Sequence, residues 1–480
     1  MSLFEPGLVH SMSLPLNKTK IVATIGPACD TPEKVSAMLA AGMNVARLNF
    51  SHGSFDSHAA TIKMLREVAS RDGRRLALMA DLPGPKIRIG KLARPIELRT
   101  ADWVTLTTEE IVGDKDRFSV NFADLPKVVE AEDKLFLNDG LVSLKVLEVQ
   151  GSEVHCEVRA GGELSSHKGL DLPGIDLGIS AFTERDRECL KFALTHGVDA
   201  VSQSFVACAA DIEAVRAAAA ELDYSPFIIA KIERKKALDQ LDTILDVTDG
   251  IMVARGDLGV EIPIAQMATV QKEIMRKANI RECPVITATQ MLESMTVHRR
   301  PTRAEATDVA NAILDGTDAV MLSAESAVGR YPVEAVSMLA DIAAATEPHR
   351  KAIAVETESA PFHSPKAMIA WSVHLAVDKL DPVAVVVPTH SGSMARNVTR
   401  FRLPLWITAL STETATCQAL QFSYGIEAVQ VEQDQADWTP YLRDMMRKQG
   451  VRDGVAILTQ GPSQASPSGN NRLEIVNLAL

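Results

Sequence analysis

Lys231 and Glu233 are separated by a single residue in the run Lys231-Ile232-Glu233, and Asp257 follows in Arg255-Gly256-Asp257. Residues two apart on an extended strand share a face, so the lysine and the glutamate would project together. Two carboxylates on neighbouring strands are a natural ligand pair for a hard cation such as Mg²⁺, which takes few protein oxygens and leaves room for phosphate and water. A lysine beside them puts a point charge where a phosphoryl group in flight would need it. The other reading of Lys231 and Glu233 is a plain ion pair inside the fold, because charge networks also gather without function. More charge and hydroxyl recur in Ala46-Arg47-Leu48-Asn49-Phe50-Ser51-His52-Gly53, in Ala80-Asp81-Leu82 with Lys86 and Arg88 soon after, in Thr287-Ala288-Thr289-Gln290 and in Ser323-Ala324-Glu325. Singly, each of these is an ordinary turn former or helix cap.

All of these groups fall at the ends of short runs rich in Val, Ile, Ala and Leu. Such runs occupy 19–26, 44–50, 76–82, 199–205, 227–233, 250–256, 284–290 and 318–323, with amphipathic helical segments between them. This is the pattern of βα units around a parallel sheet. Eight units suggest a closed (β/α)8 TIM barrel, although an open sheet would read similarly. In a barrel the loops after the strands converge on one mouth, and nearly every strand here delivers charge or hydroxyl to that rim. Helix signals agree: Thr31-Pro32-Glu33 opens a helix that Gly42 closes, and Thr183 with Asp186 and Thr302 with Glu305 resemble capping boxes, followed by Gly197 and Gly316. Glu305 is therefore read as a cap and not as a catalytic group.

Between the third and fourth runs the helical period disappears, and short alternating stretches appear at 103–107, 141–149 and 153–158. They predict an inserted small β-barrel domain, 85–178, hung on Gly84-Pro85 and Leu172-Pro173-Gly174 and able to hinge over the mouth as a lid. From 356 a new open-sheet α/β pattern begins, with helix 366–379, strand 383–387, helix 393–401, strand 405–409 and a last strand near 455–458. The expected organisation is a tail, 1–17; a barrel, 18–84 and 179–355; the lid, 85–178; and a C-terminal α/β domain, 356–480. Only 460–471 looks low in complexity.

Composition narrows the function classes. The 480 residues allow about three domains at the usual domain size, and 46% hydrophobic with 23% charged residues is ordinary for a globular protein. Fifty Lys plus Arg against sixty-two Asp plus Glu leave a net charge of −12, which argues against coating a nucleic-acid backbone. Six cysteines without a Cys-x-x-Cys pair suggest neither a disulfide framework nor a zinc cluster and fit a reducing cytoplasm. No apolar run approaches the length of a membrane span.

The runs KIVATIGPA, NVARLNFSHG, DLPGPKIRIG, HKGLDLPG, DGIMVARGDLGVEIP, ITATQMLESM and RPTRAEATDVANAILDGTDAVMLS resemble the pyruvate kinase family from about residue 18 onward. The resemblance implies phosphoryl transfer from phosphoenolpyruvate to ADP, giving ATP and an enolate that is protonated to pyruvate. It implies Mg²⁺, with Mn²⁺ as an alternative, on Glu233 and Asp257, and phosphoryl contacts from Lys231 and Arg47. The backbone of Gly256 and Asp257 would hold the substrate carboxylate through free N–H groups. Thr289 and Ser323 would stand near the face where the enolate takes its proton, through a water relay. Asn49, His52, Arg88 and, on the lid, Lys168 match nucleotide positions; His52 is expected to make contact without catalysing.

Many members hold K⁺ through residues matching Asn49, Ser51, Asp81 and the Leu82 carbonyl. Such members carry glutamate at the place of Lys86 and threonine at that of Leu82. An ammonium from Lys86 near Asp81 would stand in for K⁺, so K⁺ is not expected to be required; the alternative is a Lys86 turned to solvent and an intact K⁺ site. Thr389, His390, Ser391, Gly392 and Ser393 resemble the family's effector loop, with His390 and Ser393 in place of basic residues. A phosphorylated effector carrying one phosphate is expected, against the alternative of simple helix capping by Ser391 or Ser393. A homotetramer is implied by the resemblance alone; the apolar helices 335–345 and 367–377 could be interface or core. The rivals are a catalytically silent metabolite sensor on the same fold, and another barrel enzyme of phosphoenolpyruvate or pyruvate such as an aldolase or mutase.

Overall fold

The computed structural model describes residues 14–138, 140–350, 364–461 and 470–479. Most of the expected tail, the first residues of the expected C-terminal domain and most of the low-complexity stretch lie outside the described residues. At the tail's end, the Pro15 carbonyl accepts a hydrogen bond from Trp406 Nε1 at 3.2 Å.

Each of the eight runs forms a parallel strand: Lys20–Thr24, Val45–Asn49, Ala77–Leu82, Ala200–Gln203, Phe227–Ile232, Gly250–Ala254, Val285–Ala288 and Ala319–Leu322. The first pairs with both the second and the eighth, so the sheet is a closed barrel and not an open one. Alternation along each strand then decides what lies inside. Val22, Val45, Met79, Ala200, Ile229 and Met321 fill the interior, whereas Ile21, Ala46, Leu78, Val201, Ile228 and Val320 pack against the helices. Counting on by two from the first five interior residues reaches Thr24, Arg47, Asp81, Ser202 and Lys231, which makes them the polar layer above an apolar floor. Phe422 of the C-terminal domain joins the apolar floor, stacked on Phe227 at 5.2 Å.

The helix signals hold. Thr31 caps Pro32–Ala41, which Gly42 ends in the left-handed conformation, and both capping boxes are complete; each such cap is worth about 1 kcal/mol. Glu305 also accepts the Ser294 N–H at 2.7 Å, so its carboxylate is committed to structure.

The lid is a curled six-stranded sheet with its own apolar core. Strands Trp103–Thr107, Val142–Gln150 and Glu153–Ala160 match the alternating stretches. The segment around Arg88 and Ile89 bridges Gly169 on one side and Val120 on the other, joining the two edges of the sheet into a small barrel. Strands of two to four residues, such as Arg117–Ser119 and Leu170–Asp171, were too short to show a period. The third domain is a five-stranded sheet in the order Ile426–Gln430, Ile407–Ser411, Ala384–Pro388, Val455–Gln460, Arg472–Asn477. The expectation that the sheet ends near 455–458 is corrected: Arg472–Asn477 adds an antiparallel edge strand. Its Arg and Glu, set among apolar residues, suit a half-exposed edge and hide the strand from an apolar-run reading.

Candidate active site

The polar layer at the barrel mouth is a connected chain of charge. Arg47 Nε donates to Asp81 Oδ2 at 2.8 Å, Nη2 reaches the same oxygen, and Nη1 donates to Thr24 Oγ1 at 2.9 Å. Asp81 Oδ1 accepts the Ser202 hydroxyl at 2.7 Å and lies 3.5 Å from Lys231 Nζ. Lys231 Nζ stands 2.8 Å from Glu233 Oε1 and donates to Ser204 Oγ at 2.8 Å. Glu233 Oε2 accepts the Phe205 N–H at 2.7 Å. Phe205 has a φ of 58°, unusual for so bulky a residue. Its ring is why residue 84 must be glycine, since a Cβ there would lie 2.9 Å from Phe205 Cδ2.

Burial sets the electrostatics. It works against the charge on Lys231, but Asp81 and Glu233 outweigh it and hold the ammonium above its ordinary range. Burial also opposes the charge on Asp81, and Lys231 and Arg47 overcome it, leaving the carboxyl below its usual value. Glu233 goes the other way: burial raises its pKa, Lys231 opposes, and the Asp257 charge raises it further. Two carboxylates that repel each other at the rim of a buried site fit a divalent cation, which would relieve both the repulsion and the desolvation. Glu233 is buried and Asp257 half-buried at the start of helix Arg255–Glu261, so a metal held between them would keep positions open for substrate oxygens.

Around Asp257 one expectation is corrected. The Gly256 N–H is not free: it donates to Thr289 Oγ1 at 2.8 Å, and that hydroxyl donates to the Ala288 carbonyl at 2.7 Å. The φ-positive turn Thr289-Gln290 brings the hydroxyl there. Ser323 follows the eighth strand, its N–H held by Glu325 Oε2 at 2.7 Å. The lid leans on the helix that carries Asp257, since a Cβ at Gly140 would lie 3.4 Å from Val260.

A family model described as the pyruvate kinase barrel domain matches residues 16–336, and one described as the pyruvate kinase alpha/beta domain matches residues 367–476. The chain is 44% identical to a pyruvate kinase of Thermococcus litoralis over 476 residues, 97% of this chain and 100% of the relative. It is 39% identical to a pyruvate kinase of Geobacillus stearothermophilus over 471 residues, 95% of this chain and 80% of the relative. The chain belongs to the pyruvate kinase family. A crystal structure of a pyruvate kinase from Cryptosporidium parvum has a TM-score of 0.87 at 32% identity, covering 96% of each chain.

The nucleotide positions expected for a pyruvate kinase fall on two elements. Asn49 ends the second strand, and its Oδ1 accepts the Ser51 N–H at 3.1 Å; His52 is exposed beyond it. Arg88 and Lys168 are brought together on the lid, where Arg88 pairs with Gly169 across a bridge and its Nη1 donates to the His167 carbonyl at 3.0 Å.

For the monovalent-cation shell of the pyruvate kinase family, the structure corrects the reason offered from sequence. Among the described ion pairs Asp81 is matched by Arg47 and Lys231, not by Lys86. The chain turns away at Gly84, and the Lys86 stem lies beside Gly169 of the lid, whose Cβ would meet Lys86 Cε at 3.4 Å. Instead, the Ser202 hydroxyl donates to Asp81 Oδ1, and the Ser204 hydroxyl donates to the Leu82 carbonyl at 2.7 Å. Sequence reading missed Thr24, Ser202 and Ser204. Ser202 and Ser204 carried one signal, a two-residue spacing that continues the inward face of the fourth strand.

In the loop 389–393 the alternative of simple capping by a serine does not hold. Neither Ser391 nor Ser393 caps helix Ser393–Thr399; Gly392 is the cap residue, at a φ of 78°. Thr389 Oγ1 accepts the Gly392 N–H at 3.0 Å. Basic side chains do reach the loop: Lys366 Nζ donates to Ser393 Oγ and Arg396 donates to the Ser391 carbonyl at 2.9 Å. Helix Pro332–Thr346 buries Ala335, Val336, Leu339 and Ala343 in the barrel core. The six cysteines are free, and no described helix is long and apolar enough to cross a membrane.

Proposed function

We propose that this chain transfers the phosphoryl group of phosphoenolpyruvate to ADP, giving pyruvate and ATP at the last step of glycolysis. The observation that carries the reading is the buried chain Arg47–Asp81–Lys231–Glu233 with Asp257 at its rim. Arg47 and Lys231 hold the phosphoryl oxygens, whose negative charge substitutes for the carboxylates these cations now face. Mg²⁺ or Mn²⁺, when bound by Glu233 and Asp257, supplies Lewis-acid polarisation of substrate oxygens. The substrate carboxylate takes the Gly256 N–H in place of Thr289 Oγ1 and also finds the Asp257 N–H. As an oxygen of the ADP β-phosphate forms its bond to phosphorus, the bond to the enolate oxygen breaks. The enolate carbon then takes a proton through water ordered by Thr289 and Ser323. Asn49, His52, Arg88 and Lys168 bind the nucleotide, and lid closure keeps water from the phosphoryl group. A silent sensor would have no need to keep Lys231, Glu233, Asp257 and Arg47 together. A coupled assay for pyruvate tests this: formation that requires both phosphoenolpyruvate and ADP is expected, and folded protein without it would favour the sensor.

Segments 1–17, 18–84 with 179–355, 85–178 and 356–480 act as tail, catalytic barrel, lid and regulatory domain in a cytoplasmic homotetramer. Activity does not require K⁺, because the Ser202 and Ser204 hydroxyls engage the Asp81 and Leu82 oxygens and Arg47 and Lys231 already supply positive charge to Asp81. Full turnover with Mg²⁺ in buffers free of K⁺ and NH₄⁺ is expected, and a many-fold rise on adding K⁺ at constant ionic strength would overturn it. The loop Thr389, His390, Ser391, Gly392, Ser393 takes a monophosphorylated sugar or a nucleoside monophosphate, with Lys366 and Arg396 at hand; saturation curves that no such compound shifts would reject it.

A further inference from the structure

His58 lies in the first turn of helix Phe55–Arg71, behind the loop that joins the second strand to that helix. Its Nε2 is 2.8 Å from the His52 carbonyl oxygen. A carbonyl only accepts, so Nε2 carries the proton and donates. The ring is also stacked on Phe50, centroids 4.3 Å apart and planes within 18°, and Phe50 is buried. Gly53 completes the grip: at a φ of 77° it lets the loop turn, and a Cβ there would lie 3.3 Å from His58 Nε2. The same short loop is fixed at its other end, where the His52 N–H donates to the Asn49 carbonyl at 3.2 Å and the Ser51 N–H donates to Asn49 Oδ1. The loop backbone is thus pinned at both ends, while the His52 side chain is left exposed at the surface. Burial depresses the imidazolium of His58, with the His52 carbonyl opposing, so the ring donates as a neutral group near pH 7.

We infer that His58 is a positioning residue for the nucleotide: by holding the His52 carbonyl it sets the conformation of the Asn49–Gly53 loop against which the nucleotide binds. The inference rests on the nucleotide role proposed for Asn49 and His52. His58 itself does not reach the reacting atoms, and its effect belongs to one substrate only, because Arg47 and Lys231 are positioned by Asp81 and not by this loop.

The variants are His58→Phe, which keeps the stack on Phe50 and removes the donor, and His58→Gln, whose amide nitrogen reaches about as far as Nε2. Steady-state kinetics with each substrate varied should give His58→Phe a KM for ADP raised about tenfold, the size of one lost hydrogen bond. KM for phosphoenolpyruvate and kcat should stay within about twofold, and His58→Gln should recover most of the ADP loss. An unchanged KM for ADP in His58→Phe, equal rises for both substrates, or no recovery in His58→Gln would overturn the inference. Asn49→Ala and His52→Ala separate the two levels: if both leave KM for ADP unchanged, the nucleotide reading itself fails and this inference with it. If they raise it while His58→Phe does not, only the inference fails.

Discussion

Asp318, at the base of the barrel, accepts hydrogen bonds from Arg402 Nη1 and Nη2 at 2.7 Å each, from the Tyr424 N–H at 3.0 Å and from the Val285 N–H at 3.0 Å. Glu233, at the mouth, shares Lys231 with Asp81 and has the Asp257 charge set against it. Both carboxylates are buried, at 2% exposure each. The base pair joins barrel to C-terminal domain, and the carboxylate's lone pairs are taken by the protein itself. At the mouth, repulsion and desolvation remain that only something from outside relieves. Buried charge alone therefore does not mark a site; buried charge left unsettled by its own fold does.

Replacing Lys231 by Met should break the contrast at its strongest point. Turnover should fall about a thousandfold, the scale of losing a charge that serves the transition state. Unfolding free energy should fall as well, because Asp81 and Glu233 lose their shared cation, so turnover is read per folded molecule, and a variant retaining more than a few percent of it would remove Lys231 from the chemistry. Asp318→Asn at the base should cost stability alone. Leaving Arg402 buried beside a neutral partner should cost about 3 kcal/mol of unfolding free energy, while kcat per folded molecule stays as in the parent protein; a loss of kcat without loss of stability would reverse the assignment of the two ends.

Glu233→Gln sharpens the reading of the mouth. Half-saturation by Mg²⁺ should move up at least about tenfold with loss of a charged ligand, measured by titrating the metal at fixed substrate. The smallest effect concerns Lys20 at the base, whose Nζ donates to the Ile426 carbonyl at 2.7 Å. Burial lowers its pKa to about 8, against the Glu427 and Glu347 charges. Above pH 8 the folded state loses this proton while the unfolded chain keeps it up to about pH 10.4, so this group's contribution to stability rises with pH. The stability of the wild type relative to Lys20→Met should therefore improve by about 1–2 kcal/mol between pH 8 and 9.5. Urea unfolding at both pH values checks it, and parallel curves would exclude a neutral lysine at high pH.

The barrel was legible because strands covered on both faces read as unbroken apolar runs, and the charges at their ends stood out against them. The lid was legible only where strands were long enough to alternate, as at Trp103–Thr107. Lys86 misled because nearness in sequence to Asp81 was taken for nearness in space, and the turn at Gly84 undoes that. Ser202 and Ser204 escaped notice because a hydroxyl on or just past a strand has no distinctive pattern until its partner, Asp81 or Lys231, is placed beside it by a neighbouring strand. The occupation of the Gly256 N–H by Thr289 depends on a turn with positive φ at two non-glycine residues, which composition does not announce.

The third and fourth barrel strands run side by side, Asp81 level with Ser202, yet the whole lid is spliced between them. An insertion whose two ends are already neighbours adds little to the chain entropy lost on folding, about 0.6 kcal/mol for each doubling of its length. With a core of its own, such a module can be acquired, lengthened or exchanged during evolution without redesign of the host. During synthesis it would emerge and fold while the nascent barrel still waits for its last five strands. Lid and barrel are in that sense two heritable units on one chain.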